Sequence, residues 1–201
     1  MKINQVFLVT SCGHSDGSFV HGHKALGKSE YQIVRDYLPR ITEHFEEYRI
    51  RYHVVPWEHP PGSPIKDRLK KINPDSLVLQ LGVGFFDTER KHNATIISHG
   101  DGWPAKELSG MLADTLSTWG TCVSYGHRVE HPNFDANAFL GARGSFAISL
   151  APFSINGPNS DEYLKHLGAL GRDVAMTVIE YLSRTGSAVN KVYCHQDRCP
   201  L

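Results

Sequence analysis

The residue pattern predicts an α/β fold, a three-layer sandwich whose mixed, mostly parallel central sheet is flanked by helices. Two observations carry this. Short β-branched and apolar runs recur along the whole chain, at Ile3 to Thr10, Ile50 to Val55, Leu77 to Val83, Ala94 to Ser98, Cys122 to Tyr125 and Ser145 to Leu150. Between several of them lie segments with apolar residues at three- and four-residue spacing, the signature of a helix with one buried face. The 201 residues fit a single domain of residues 1–186 followed by a tail of residues 187–201.

Taken in order, the first strand runs into residues 11–28, a glycine- and histidine-rich stretch read as one long loop. Ser29 starts a helix, with Tyr31, Val34, Leu38, Ile41 and Phe45 on its apolar face. Pro39 falls inside that pattern and predicts a kink or break. Four prolines between Pro56 and Pro64 mark a loop. Ile65 to Ile72 reads as a short helix, with Lys66, Arg68, Lys70 and Lys71 largely on its wet face, ended by Asn73-Pro74. Trp103 to Trp119 is amphipathic through Leu108, Met111, Leu112 and Leu116. Asp161 to Arg184 reads as the longest helix, through Leu164, Leu167, Leu170, Val174, Val178 and Leu182.

Composition excludes several classes of partner. Twenty-one basic residues balance 21 acidic ones, so no basic surplus points to nucleic acid or an anionic membrane. The apolar runs fall far short of the ~20 residues of a membrane span. Met1-Lys2 leads directly into a strand-like run without the elements of a secretory signal, which predicts a cytoplasmic location. The four cysteines read as free thiols of a reduced compartment. Cys194 and Cys199 in the tail leave a metal site, a disulfide and a plain tail all open.

In α/β sheets of this kind ligands bind beyond the carboxyl ends of the strands. There the sequence places Cys12-Gly13-His14-Ser15-Asp16-Gly17. Gly13 to Gly17 matches G-x-S-x-G, the serine nucleophile elbow. An elbow needs a helix at once, whereas the next helix waits until about residue 29.

The same stretch is similar to another family, the zinc-dependent N-acetylmuramoyl-L-alanine amidases that hydrolyse cell walls. There a first strand runs into Gly-His-Gly-Gly, whose histidine binds zinc. Val6-Phe7-Leu8-Val9 followed by Gly13-His14-Ser15-Asp16-Gly17 resembles it. The family's second ligand is a glutamate opening the first long helix, where this chain has Glu30. The family's next helix carries an arginine and, five residues on, an asparagine, matched by Arg68 and Asn73. The resemblance spans roughly residues 3–183. It implies zinc as cofactor, held by His14 and Glu30, and a substrate groove at Ser15, Asp16 and Arg68.

Two positions depart from the family. Its third zinc ligand is a histidine at the end of the central strand, where Gln80-Leu81-Gly82-Val83-Gly84 has Gly82. Its catalytic glutamate ends a late strand, where the matching run from Ile148 to Asn156 has Leu150. A hydrolytic zinc needs three protein ligands and an open position for water, and a nearby carboxylate moves the proton. His23 in the early loop and His92 are candidate substitute ligands, His92 on the premise that Leu77–Val83 and Ala94–Ser98 form a hairpin with His92 at its tip. His21 lies in the same loop as His23, His99 falls at the far end of that hairpin and is the poorer choice, and Asp16, Asp87 or Glu89 could supply the carboxylate. The resemblance therefore carries two expectations. One is a binding or assembly module, such as a phage-particle component, that meets a peptidoglycan fragment or other protein subunits. The other is an active zinc amide hydrolase of the lysin type, released by lysis, with a rearranged metal site. A homo-oligomer stays open in both.

Overall fold

A computed structural model describes residues 2–10, 24–25, 27–55, 72, 75–84, 94–99, 103–120, 122–126, 146–155, 157 and 159–187. Six strands form the main sheet: β1 (Gln5–Thr10), β4 (Tyr52–Val55), β5 (Ser76–Leu81), β6 (Ala94–His99), β7 (Cys122–Gly126) and β8 (Ala147–Ala151). Two short strands, β2 (Lys24–Ala25) and β3 (Lys28–Ser29), pair with each other. The order across the main sheet is β4-β1-β5-β8-β6-β7. The first four of these run parallel. Strand β6 is antiparallel to β8, and β7 is parallel to β6.

A strand buried on both faces reads as a continuous apolar run rather than an alternating one. Val6-Phe7-Leu8-Val9 is such a run, and all four residues are buried. Alternate residues still serve different layers. Val6, Leu8, Leu77, Leu79, Leu81, Ile148 and Leu150 join the main core with the helices. Phe7, Val9, Val55, Val78 and Ala147 form a second cluster with Ile72. Ile72 is the only described residue of the short helix expected over residues 65–72.

Four helices are described: α1 (Glu30–Glu47), α2 (Trp103–Ser117), α3 (Ser160–Lys165) and α4 (Leu167–Arg184). Helix α4 packs against both α1 and α2. At Gly171 the approach to α1 is close enough that a Cβ would stand 2.8 Å from Arg40 Cβ and 3.0 Å from the Tyr37 carbonyl oxygen. The two ends of the described chain meet where the Ile3 amide donates to Ser187 Oγ at 3.0 Å.

The structure corrects four expectations. Helix α1 runs through Pro39 without a break; its buried face, Ile33, Val34, Tyr37, Ile41 and Phe45, outweighs the single donor that proline withdraws. The long C-terminal helix is two helices divided at His166. The division lets α3 stack Tyr163 on Phe153, with ring centroids 5.3 Å apart, while α4 follows α1. Strands β5 and β8 are neighbours and β6 pairs with β8, so no β5–β6 hairpin exists to place His92. The early loop contains regular structure at its end, since Lys24–Ala25 and Lys28–Ser29 pair around a turn in which Gly27 takes φ +75°.

Candidate functional site

Strands β1, β4, β5 and β8 all end at one edge of the sheet. Strand β6 starts there, because Thr95 pairs with Ala151 at the end of β8. Helix α1 begins at this edge, directly after the β2–β3 hairpin. Its first turn is held by a reciprocal cap. The Gln32 amide donates to Ser29 Oγ at 3.2 Å, and the Ser29 amide donates to Gln32 Oε1 at 2.8 Å. Glu30 is the first helical residue, where the helix end favours a negative charge. It is 4% exposed.

Seven residues on, about two turns, Tyr37 lies on the same side of the helix and is fully buried. Its hydroxyl donates to the Gly82 carbonyl oxygen at 3.3 Å. Burial first, and then the charge of Glu30, push the Tyr37 pKa up, so the hydroxyl keeps its proton. Helix α1 thus reaches the residue that follows β5 through the Tyr37 hydroxyl.

The end of β5 is stitched to β8 and the segment after it. The Gly82 amide donates to the Leu150 carbonyl oxygen at 2.9 Å, and the Gly84 amide to that of Phe153 at 2.8 Å. The Ile155 amide returns a bond of 2.7 Å to the Gly84 carbonyl oxygen. At Gly84 a Cβ would come within 2.6 Å of the Ser154 hydroxyl, so only glycine fits without displacing that buried serine. On the second face of the sheet, the side on which a side chain at 82 would stand, Ser149 Oγ donates to Gln80 Oε1 at 2.6 Å.

Leu150 pairs laterally with Leu81 and Ile96 and is 2% exposed within the main core. At this edge Glu30 supplies a carboxylate among the described residues, and the Gly82 carbonyl already accepts from Tyr37. No group of three His, Cys, Asp or Glu side chains able to hold a metal comes together among the described residues. Among the described residues Glu30 alone stands at a ligand position of the resemblance, short of the three protein ligands that a hydrolytic zinc takes. His14, Ser15, Asp16, His21, His23, Arg68, Asn73, Asp87, Glu89, His92, Cys12, Cys194 and Cys199 lie outside the described residues. Sequence reasoning missed Tyr37. The available signal was its offset of seven from Glu30, hidden because an aromatic residue on an apolar helix face reads as core.

The chain shares its fold with the catalytic domains of N-acetylmuramoyl-L-alanine amidases. The CwlD amidase from Clostridioides difficile, solved in complex with the GerS lipoprotein, superimposes with a TM-score of 0.66 at 13% identity, over 90% of this chain and 100% of that one. The catalytic domain of an endolysin targeting Clostridia difficile gives 0.64 at 12% identity, over 90% and 97%. The amidase AmiC2 of Nostoc punctiforme gives 0.62 at 12%, over 92% and 100%. At these identities the likeness defines the fold. No family model matches the chain. No curated protein matches it either.

Proposed function

We propose that the chain is a divergent amidase-like protein that binds peptidoglycan fragments at the Glu30–Gly82 edge without cleaving them, and so serves as a binding or assembly module. The observation that carries this reading is the pair Gly82 and Leu150. The first brings no side-chain donor to the strand end, and the second is an apolar side chain enclosed in the core. With Leu150 standing where the resemblance puts the carboxylate that moves the proton, hydrolysis is expected to lose a factor of ~10²–10⁴. The fold itself supports the ligand class, since the proteins that share it include an N-acetylmuramoyl-L-alanine amidase, the CwlD amidase and the catalytic domain of an endolysin. The same kinship supports a place in a phage particle or release by lysis.

A second reading is favoured by one observation. Glu30 stands buried at the first helical position, as the helix-borne ligand of an active zinc amide hydrolase would. Metal analysis of the purified chain, paired with binding and cleavage of purified peptidoglycan, separates the two. The proposal expects binding with no stoichiometric zinc and no amide cleavage. Stoichiometric zinc with cleavage lost in His14→Ala establishes the second reading. Absence of both binding and cleavage removes both.

A further inference from the structure

The hydrogen bond from Tyr37 has no packing rationale. Phenylalanine would fill the same space, whereas a buried hydroxyl is costly unless it finds a partner. The partner it finds is remote in sequence and specific in place. Gly82 is the first residue beyond β5, at the position that the amidase resemblance gives to a metal ligand. The other end of the same helix face carries Glu30, the position it gives to the helix-borne ligand. A metal shared by two such residues would clamp the start of α1 to the end of β5. Here those two elements are already joined by a hydroxyl and a carbonyl oxygen 3.3 Å apart.

We infer that Tyr37 makes, by hydrogen bond, the clamp between helix α1 and strand β5 that a metal would make in a complete ligand set. This rests on the reading of Gly82 given above. The neighbouring bonds agree with it: Gly82 and Gly84 are held from the β8 side by Leu150, Phe153 and Ile155 backbone groups. Tyr37 is the described side chain that holds Gly82 from the helix side. Tyr181, also raised in pKa, by burial and then by Glu107, lies on α4 and takes no part in this clamp.

Amide hydrogen exchange at Gly82 and Gly84 in the full chain tests the clamp, for the natural sequence and for Tyr37→Phe, each with chelator and with saturating zinc. In the natural chain exchange is the same with chelator and zinc. In Tyr37→Phe it is roughly tenfold faster, which corresponds to about 1.4 kcal/mol, and again indifferent to zinc. Tyr52→Phe, which removes a 2.7 Å bond to Glu46 near the other end of α1, leaves exchange at Gly82 and Gly84 unchanged. A general loss of packing would not discriminate between the two tyrosines. Zinc slowing exchange tenfold in the natural chain, reversed by chelator, overturns the inference. So does a folded Tyr37→Phe with unchanged exchange. Should Tyr37→Phe not fold, the response of the natural chain to zinc decides alone. A chain that shows this pattern yet binds no peptidoglycan loses the functional proposal and keeps the clamp.

Discussion

Leu150 occupies the place where the resemblance expects a carboxylate, and its surroundings are those of a core leucine. Leu81 and Ile96 flank it on the neighbouring strands. A carboxylate there would be an uncompensated buried charge. Leu150→Glu is expected to cost at least about 3 kcal/mol, read as a fall in the thermal midpoint of roughly 6 °C or more. A variant of unchanged stability would mean that this position opens to solvent. Gly82 is a different kind of departure. Its backbone is committed to Leu150 on one side and Tyr37 on the other. The letter at each position was readable in the sequence. That Leu150 is enclosed, and that a tyrosine 45 residues earlier reaches Gly82, required the fold.

Between elements, the crossing of α1 and α4 fixes where Glu30 and Tyr37 stand. Gly171→Ala sets two effects against each other. Alanine is the better helix former by up to about 1 kcal/mol. The added Cβ, however, meets Arg40 Cβ at 2.8 Å and the backbone oxygen of Tyr37 at 3.0 Å, and neither is the free end of a flexible side chain. The clash is expected to win, with a net loss of about 1–3 kcal/mol in chemical denaturation. Exchange at Gly82 rises with it, because the displaced backbone is that of Tyr37. The strands were legible because two-sided burial writes apolar runs. Pro39 misled because local chemistry argued for a break while a buried face on both sides of it held the helix together. The division at His166 was illegible because the apolar spacing continues through it. It is set by what α3 must reach, the ring of Phe153.

At the scale of the molecule, pH acts through the second face of the sheet. His53 on β4 is half-buried, stacks on Phe7 with centroids 4.9 Å apart and lies 3.2 Å from Gln5 Oε1 through Nε2. Burial first, and then Arg51, hold its pKa below the usual 6.5. The unfolded chain therefore takes up this proton at higher pH than the folded one. The stabilisation is present above 6.5 and is lost as pH falls below it. Thermal midpoints are expected to decline from pH 7 towards pH 5, with a shallower decline in His53→Gln. Equal slopes would assign the effect to other groups.

Sheet order was only partly legible, since nothing local in Leu77–Val83 or Ala94–Ser98 tells that β8, far later in the chain, inserts between them. That insertion carries the Leu150 segment to the middle of the site edge. There it meets Gly82 and Gly84 rather than a hairpin partner. This is the edge proposed to bind peptidoglycan without cutting it. The most direct measurement is the release of new L-alanine amino groups from purified peptidoglycan incubated with the zinc-equilibrated chain, beside co-sedimentation of the same mixture. Co-sedimentation with no amino groups released above the blank is expected. Release that proceeds with zinc and stops with chelator would contradict it.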